Sequence, residues 1–157
     1  MLTEPEKATN FDTMRHIERV RNLLNVFVVE LLKRGELHDQ SKLESPEVEA
    51  LTANTARLAG MTYGSPEYAA NFKSPEMTAY VTHHYANNRH HPQYHKRGVN
   101  DMTLVDVLEM LVDWKAASER HTDGNIRKSI EVNAGRFELS PQLTTILENT
   151  VRFFDLD

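Results

Sequence analysis

The chain has 157 residues, a formal net charge of −5 with neutral histidines, and no cysteine. The length predicts one domain over residues 1–157, and the missing cysteines exclude disulfides, thiolate metal sites and a cysteine nucleophile. The acidic balance argues against nucleic acid as a partner, and no apolar run approaches the roughly 20 residues of a membrane span. The polar N-terminus lacks a signal-peptide pattern, so we expect a cytoplasmic protein that does not bind membranes.

Apolar spacing predicts an all-α protein, a compact helical bundle. The first helix is predicted from Asp12 to Arg34, where apolar residues recur three and four positions apart, and Gly35 would stop it. His16 shares the apolar face of this helix, so we expect its side chain to be buried.

Four Ser-Pro pairs predict the starts of later helices: Ser45-Pro46, Ser65-Pro66, Ser74-Pro75 and Ser140-Pro141. Each places a capping hydroxyl before a first-turn proline, and in the first three pairs an acid follows that faces the helix dipole. The predicted helices cover about 45–60, 66–72, 75–88 and 141–154. Two more are expected, from Thr103 to about His121 and over about 125–134.

Five of the eight histidines lie within thirteen residues: His83, His84, His90, His91 and His95. Imidazole and carboxylate are the side chains that bind borderline divalent metals, so this run predicts a metal or substrate site. It falls largely in residues 85–102, the one long non-periodic stretch, and such loops are often functional. His84 continues the apolar rhythm of its helix and should face the core, whereas His95 is expected to be solvated.

Two further places in the sequence carry candidate carboxylate ligands. His38-Asp39 are neighbours, and adjacent helical side chains diverge by about 100°, so the pair could hold one ion only from a helix end. The alternative is that the pair only caps a helix. Asp113 lies among apolar residues, where a carboxylate is costly unless it is paired or bound; the alternative is a position facing water. Asp106 is a rival for the same role, and Glu109 could orient a ligand histidine.

Together these residues resemble the HD superfamily of all-helical metal-dependent phosphohydrolases. Its order of His, then His-Asp, then additional histidines, then Asp falls on His16, His38-Asp39, His84 and His91, and Asp113. The segments HDQSK, HHYANNRHHPQY and EMLVDW are similar to the motifs of an uncharacterised phage and bacterial branch. The resemblance covers about residues 15–117 and leaves 118–157 as C-terminal helices.

The resemblance implies hydrolysis of a phosphate ester, a nucleotide mono- to triphosphate above all, with one or two divalent ions of Mn, Mg, Co, Zn or Fe. It implies these metal ligands: His16, His38, Asp39, His84, His91 and Asp113. The candidate catalytic residues are Lys42, His83, Arg89 and His90, with Lys42 and Arg89 neutralising phosphate charge. A homodimer is compatible with this resemblance.

One ligand in this set conflicts with a simple helix. If residues 12–34 form a straight helix, its ends lie about 30 Å apart, so His16 and His38 could share an ion only if the helix kinks or ends early. Two other functions stay open: a mixed-valent di-iron oxygenase related to the HD fold, and a non-catalytic metal-stabilised binding protein.

Overall fold

The computed structural model describes residues 1–59, 61, 66, 70, 74–120 and 124–157. Over this part of the chain it contains helices and no strands, which confirms the predicted all-α class. The α-helices are α1 (Glu4–Leu37), α2 (Glu47–Ala59), α3 (Pro75–Asn87), α4 (Leu104–Ser118), α5 (Ile126–Arg136) and α6 (Pro141–Phe153). Three short 3-10 helices cover Gln40–Leu43, Pro92–Tyr94 and Gly98–Asp101. Among the described residues, every helix is either too short or too polar to span a bilayer.

The chain divides into two compact units, Met1–Leu37 and His38–Asp157. The first unit is α1, an uninterrupted helix of 34 residues that begins earlier and ends later than predicted. Taken by itself, this unit contains no buried residue, and the burial of His16 stays a prediction. The single domain over residues 1–157 stays a prediction.

In the second unit, α5 packs against both α4 and α6. Their shared core consists of five buried apolar residues: Leu111, Ile126, Ile130, Leu147 and Val151. Helix α2 packs against α3 through a second buried cluster of Ala50, Met77 and Tyr80. Burial of Met77 and Tyr80 orients α3, and the same rhythm places His84 inside, with 4% of the residue exposed.

Helix starts follow the capping pattern of the sequence at three places. Ser74 and Ser140 accept hydrogen bonds from the backbone N–H groups of Met77 and Leu143, as predicted. Thr103 caps α4 in a reciprocal box, because its hydroxyl accepts from the Asp106 N–H while the Asp106 carboxylate accepts from the Thr103 N–H. These caps satisfy N–H groups that have no partner within the helix.

The remaining predicted helices differ in part. The helix expected over 66–72 lies outside the described residues, apart from single positions. Helix α4 ends at Ser118, before the expected end at His121, which also lies outside them. Helix α2 begins at Glu47, two residues after the predicted start near Ser45, and Glu47 lies in its first turn, as predicted, but is fully buried.

Candidate metal centre

The His38-Asp39 pair follows directly after the last residue of α1. Asp39 adopts a left-handed backbone conformation with φ 55° and ψ 17°, which aspartate tolerates better than most residues. Its carbonyl accepts from the Lys42 N–H at 2.9 Å, so the next residues turn into the first 3-10 helix. The pair therefore offers its side chains from a helix end, the arrangement that two adjacent ligands require.

Two overlapping groups of side chains could each hold a metal ion. The first group consists of Asp39, His84, His90 and His91, and the second group consists of His38, Asp39, His90 and Asp113. In each group, one ligand atom from every residue lies within 4.8 Å of the others. Asp39 and His90 belong to both groups, so the two candidate positions are adjacent.

In the first group, three imidazole nitrogens and a carboxylate oxygen converge. The Nε2 atoms of His84 and His90 lie 3.4 and 3.5 Å from Asp39 Oδ1. His84 Nε2 also lies 2.8 Å from His91 Nε2. Oxygen and nitrogen lone pairs gathered in this way are the donor set that borderline divalent ions prefer.

In the second group, His38 lies between two carboxylates. Its Nε2 atom is 3.5 Å from Asp39 Oδ2 and 3.5 Å from Asp113 Oδ1. His90 Nε2 lies 4.0 Å from Asp113 Oδ2. Asp113, expected from sequence either at a metal or in water, is thus placed at the cluster with 25% of its side chain exposed.

Two atoms at the centre of the cluster are buried without a hydrogen-bond partner: Asp39 Oδ1 and His90 Nε2. Both residues belong to both groups, and the two atoms are 3.5 Å apart. Buried polar atoms are almost always satisfied, so an orphaned pair requires an explanation such as an ion. A divalent cation fits this donor set.

Burial and closely spaced ionisable groups shift the pKa values of several residues in the cluster. The carboxylates of Asp113 and Glu109 raise the pKa of His38 to about 10. Burial, reinforced by the neighbouring imidazoles of His90 and His84, lowers the pKa of His91 to about 3. Burial alone would raise the pKa of Asp39, but the Lys42 ammonium holds that pKa below its usual value.

Two more carboxylates support the histidines from outside the groups. Glu47 contacts His83 and His84, and Glu109 contacts His38 and His90, in each case at the Nδ1 atom. Glu109 has the orienting position that we predicted for it. Glu47 was missed as a site residue because its sequence context, Ser-Pro-Glu, equally describes an ordinary helix start.

Comparison with known families gives a match over most of the chain. Residues 5–153 match a family described as a family of unknown function, DUF5662. The chain belongs to this family. No curated protein and no solved structure matches it. No reaction is assigned to the DUF5662 family, so the resemblance to HD phosphohydrolases remains an interpretation of the motifs.

Within this DUF5662 chain, the predicted metal ligands of the second unit come together: His38, Asp39, His84, His91 and Asp113. His90, predicted as a catalytic residue, offers a ligand atom to both groups. His16 belongs to neither group, and about 30 Å of continuous helix separate it from Leu37. Its role as a ligand stays a prediction.

The other predicted catalytic residues lie around the ligand groups. Lys42 donates to Asp39 Oδ2, and its side chain is 27% exposed. His83 is bonded to Glu47 and is 36% exposed. The Arg89 guanidinium donates to both carboxylate oxygens of Asp106, at 3.2 and 3.1 Å.

Two expectations about neighbouring residues are corrected. Asp106, the rival of Asp113, is fully buried, caps α4 and binds Arg89, so its carboxylate has a structural role. His95 was expected in solvent, but its side chain is only 6% exposed and its Nε2 atom lies 2.8 Å from the Arg89 carbonyl oxygen. Sequence position beside Lys96 was misleading because the loop folds back on itself.

Proposed function

We propose that this protein is a metal-dependent phosphohydrolase that hydrolyses a phosphate ester, with nucleotides as the first substrates to test. The observation that carries the proposal is the pair of overlapping ligand groups centred on Asp39 and His90. The chain order of His-Asp, additional histidines and Asp supports the assignment through its resemblance to HD phosphohydrolases. A divalent ion would supply Lewis-acid polarisation of the phosphoryl group and acidification of water.

The residues of the chain have separate roles in this proposal. Asp39, His38 and Asp113 would bind metal beside His84, His90 and His91. Lys42 places an ammonium at the cluster, and this partly exposed group would offset negative charge on a bound phosphate. We assign Arg89 to holding the histidine-bearing loop, because its guanidinium is engaged by the buried Asp106 carboxylate.

Metal content is the first test. We expect purified wild type to contain one or two equivalents of a divalent metal by mass spectrometry, and a His38→Ala/Asp39→Ala double variant to contain none while keeping its helical circular dichroism. Glu49→Ala changes an exposed acid on α2 and is the control, which should retain the wild-type content. If wild type neither contains metal nor binds it on reconstitution, the proposal is wrong.

Catalysis needs a second measurement. Metal-loaded protein is incubated with a panel of nucleoside mono-, di- and triphosphates, and released phosphate or pyrophosphate is measured. Product formation that disappears in the double variant supports the proposal. A fully loaded protein that hydrolyses no phosphate ester in the panel contradicts it.

A second candidate function is oxygen-dependent redox chemistry at two iron ions. The observation that favours it is the histidine-rich composition of two adjacent groups that share one carboxylate, Asp39. Iron in the purified protein, with a visible absorbance and a paramagnetic signal, would select this function over hydrolysis. A colourless protein that contains Mg, Mn or Zn would count against it. A loaded but inert protein would leave the third function, a metal-stabilised binding protein.

A further inference from the structure

Glu47 is a buried carboxylate that connects two adjacent histidines of α3. Its Oε1 atom lies 2.8 Å from His83 Nδ1, and its Oε2 atom lies 2.9 Å from His84 Nδ1. The Glu47 residue is 0% exposed. An ionised carboxylate can only accept hydrogen bonds, so each Nδ1 atom must carry the proton. The nitrogen of His84 that faces Asp39 and His91 is therefore Nε2, with its lone pair available to an ion.

Asn88 leaves this arrangement intact. Its Nδ2 atom lies 3.1 Å from His84 Nδ1, but an amide NH₂ has only two protons. These two are donated to Ser41 Oγ at 2.7 Å and to the His84 carbonyl oxygen at 2.9 Å. The Nδ1 proton of His84 consequently points to the Glu47 carboxylate.

Glu109 has the same relation to a different pair of histidines. A single oxygen, Oε1, lies 3.0 Å from His38 Nδ1 and 3.1 Å from His90 Nδ1. The Glu109 side chain is 10% exposed. The His38 and His90 rings are also in contact, tilted by 34° with centroids 4.4 Å apart, so this carboxylate holds two neighbouring rings whose Nε2 atoms face the cluster.

We propose that Glu47 and Glu109 are positioning residues for two distinguishable metal positions, Glu47 for the first group alone and Glu109 for both. The proposal rests on metal binding at the cluster. The two carboxylates differ because they contact different ligands. His84, which Glu47 contacts, belongs only to the first group. Of the histidines that Glu109 contacts, His38 belongs only to the second group and His90 to both. Carboxylates behind a ligand histidine fix its ring and increase its basicity, and their removal weakens metal binding by about 10- to 100-fold.

The test is a calorimetric titration of metal-free, full-length protein with Co²⁺, which gives the number of bound ions and their affinities. We expect two equivalents in wild type. Glu47→Gln keeps the side-chain shape without the charge, and it should weaken one equivalent by about tenfold or more while the other is unchanged. Glu109→Gln should weaken both. Glu49→Gln, two residues from Glu47 and exposed, is the matched control and should bind as wild type does.

A measurement without metal separates orientation from affinity. Long-range ¹H–¹⁵N correlation spectra of metal-free wild type should show the His84 proton on Nδ1, and Glu47→Ala should lose this preference. Circular dichroism shows whether Glu47→Ala is folded. If it is not, the Co²⁺ affinity of Glu47→Gln alone decides whether Glu47 is a positioning residue.

The outcomes are distinct. A wild type that binds no Co²⁺ removes the proposed metal site itself, whatever the spectra show. A wild type that binds Co²⁺ overturns only the positioning roles if Glu47→Gln binds with unchanged affinity, or weakens both equivalents alike. A proton on Nε2 of His84 in metal-free wild type overturns the role of Glu47 as well.

Discussion

At the scale of single residues, Asp39 is the centre of the candidate site. One of its oxygens faces His84 and His90, and the other faces His38 and Lys42. Its backbone is left-handed, a conformation that costs free energy for most residues and is concentrated at functional sites. Because the two groups share this carboxylate, the number of metal ions that a variant binds should show whether one group or both are affected.

We predict that His91→Ala and Asp113→Ala each remove one bound equivalent of metal, because each residue belongs to one group. Asp39→Ala should remove both. Metal content by mass spectrometry and Co²⁺ titration measure the stoichiometry, with exposed Gln93→Ala as the control. Retention of both equivalents in Asp39→Ala would contradict the shared position.

The pKa values predict how the stability of metal-free protein depends on pH. The pKa of His91 falls from 6.5 to about 3 on folding, so the unfolded chain binds the extra proton and stability decreases as pH falls from about 6.5 toward 3. The pKa of His38 rises from 6.5 to about 10, so its contribution is present below 6.5 and is lost as pH rises through 10. Each slope is at most about 1.4 kcal/mol per pH unit.

We therefore expect stability to be greatest near pH 6.5 when a chelator is present. Urea unfolding at pH 5, 6.5 and 9 measures it. His91→Gln should flatten the acid side, and His38→Gln the alkaline side. Equal slopes in wild type and both variants would show that these imidazoles do not set the profile.

At the scale of elements, the residues that cap α4 both stabilise this helix and contact the loop that carries the site histidines. Thr103 and Asp106 cap the helix that carries Glu109 and Asp113, and Asp106 also binds Arg89 at the base of the histidine loop. One buried carboxylate thus connects a helix end with the segment that positions His90. The contact is structural, and its loss should act through stability.

We predict that Thr103→Ala lowers the free energy of unfolding by about 1 kcal/mol, the usual cost of a lost N-cap. The metal stoichiometry should stay unchanged, because Thr103 is in neither ligand group. Denaturant unfolding of the metal-free protein measures the difference. Thr145→Ala, an exposed position within α6, is the control and should not destabilise the protein. An equal loss in both variants would contradict a capping role.

At the scale of the whole molecule, the site is built from parts of the second unit that are distant in sequence. His38 and Asp39 follow α1, His84 lies on α3, His90 and His91 lie in the loop, and Asp113 lies on α4. An ion bound by either ligand group therefore binds the folded chain and not the unfolded one. Metal should therefore stabilise the fold by mass action.

We predict that free metal at 100 times its dissociation constant raises the free energy of unfolding by about 2.7 kcal/mol for one site. Thermal or urea unfolding with metal, and again with excess chelator, measures the effect. The His38→Ala/Asp39→Ala variant should unfold identically in both conditions. A stabilisation of the same size in that variant would show binding elsewhere on the chain.

The sequence alone determined the helical class, several helix starts and most of the candidate ligands. These features are local: caps act within four residues, apolar periodicity is set by the helix itself, and imidazole and carboxylate chemistry belongs to the side chain. Ser74, Ser140 and Thr103 confirmed this, and so did the burial of His84.

Only the tertiary structure decided which polar residues meet at the cluster. Glu47 and Glu109 reach the histidines because α2 packs against α3 and because α4 lies beside His38 and His90. The contacts of Glu47 with His83 and of Glu109 with His38 join residues 36 and 71 positions apart. The buried Asp106 carboxylate binds the partly exposed Arg89, whose carbonyl oxygen contacts His95, and no short-range pattern predicts these contacts. His16 is the opposite case. The motif order predicts it as a metal ligand, but it lies on the continuous helix from Glu4 to Leu37, about 30 Å from the end of that helix.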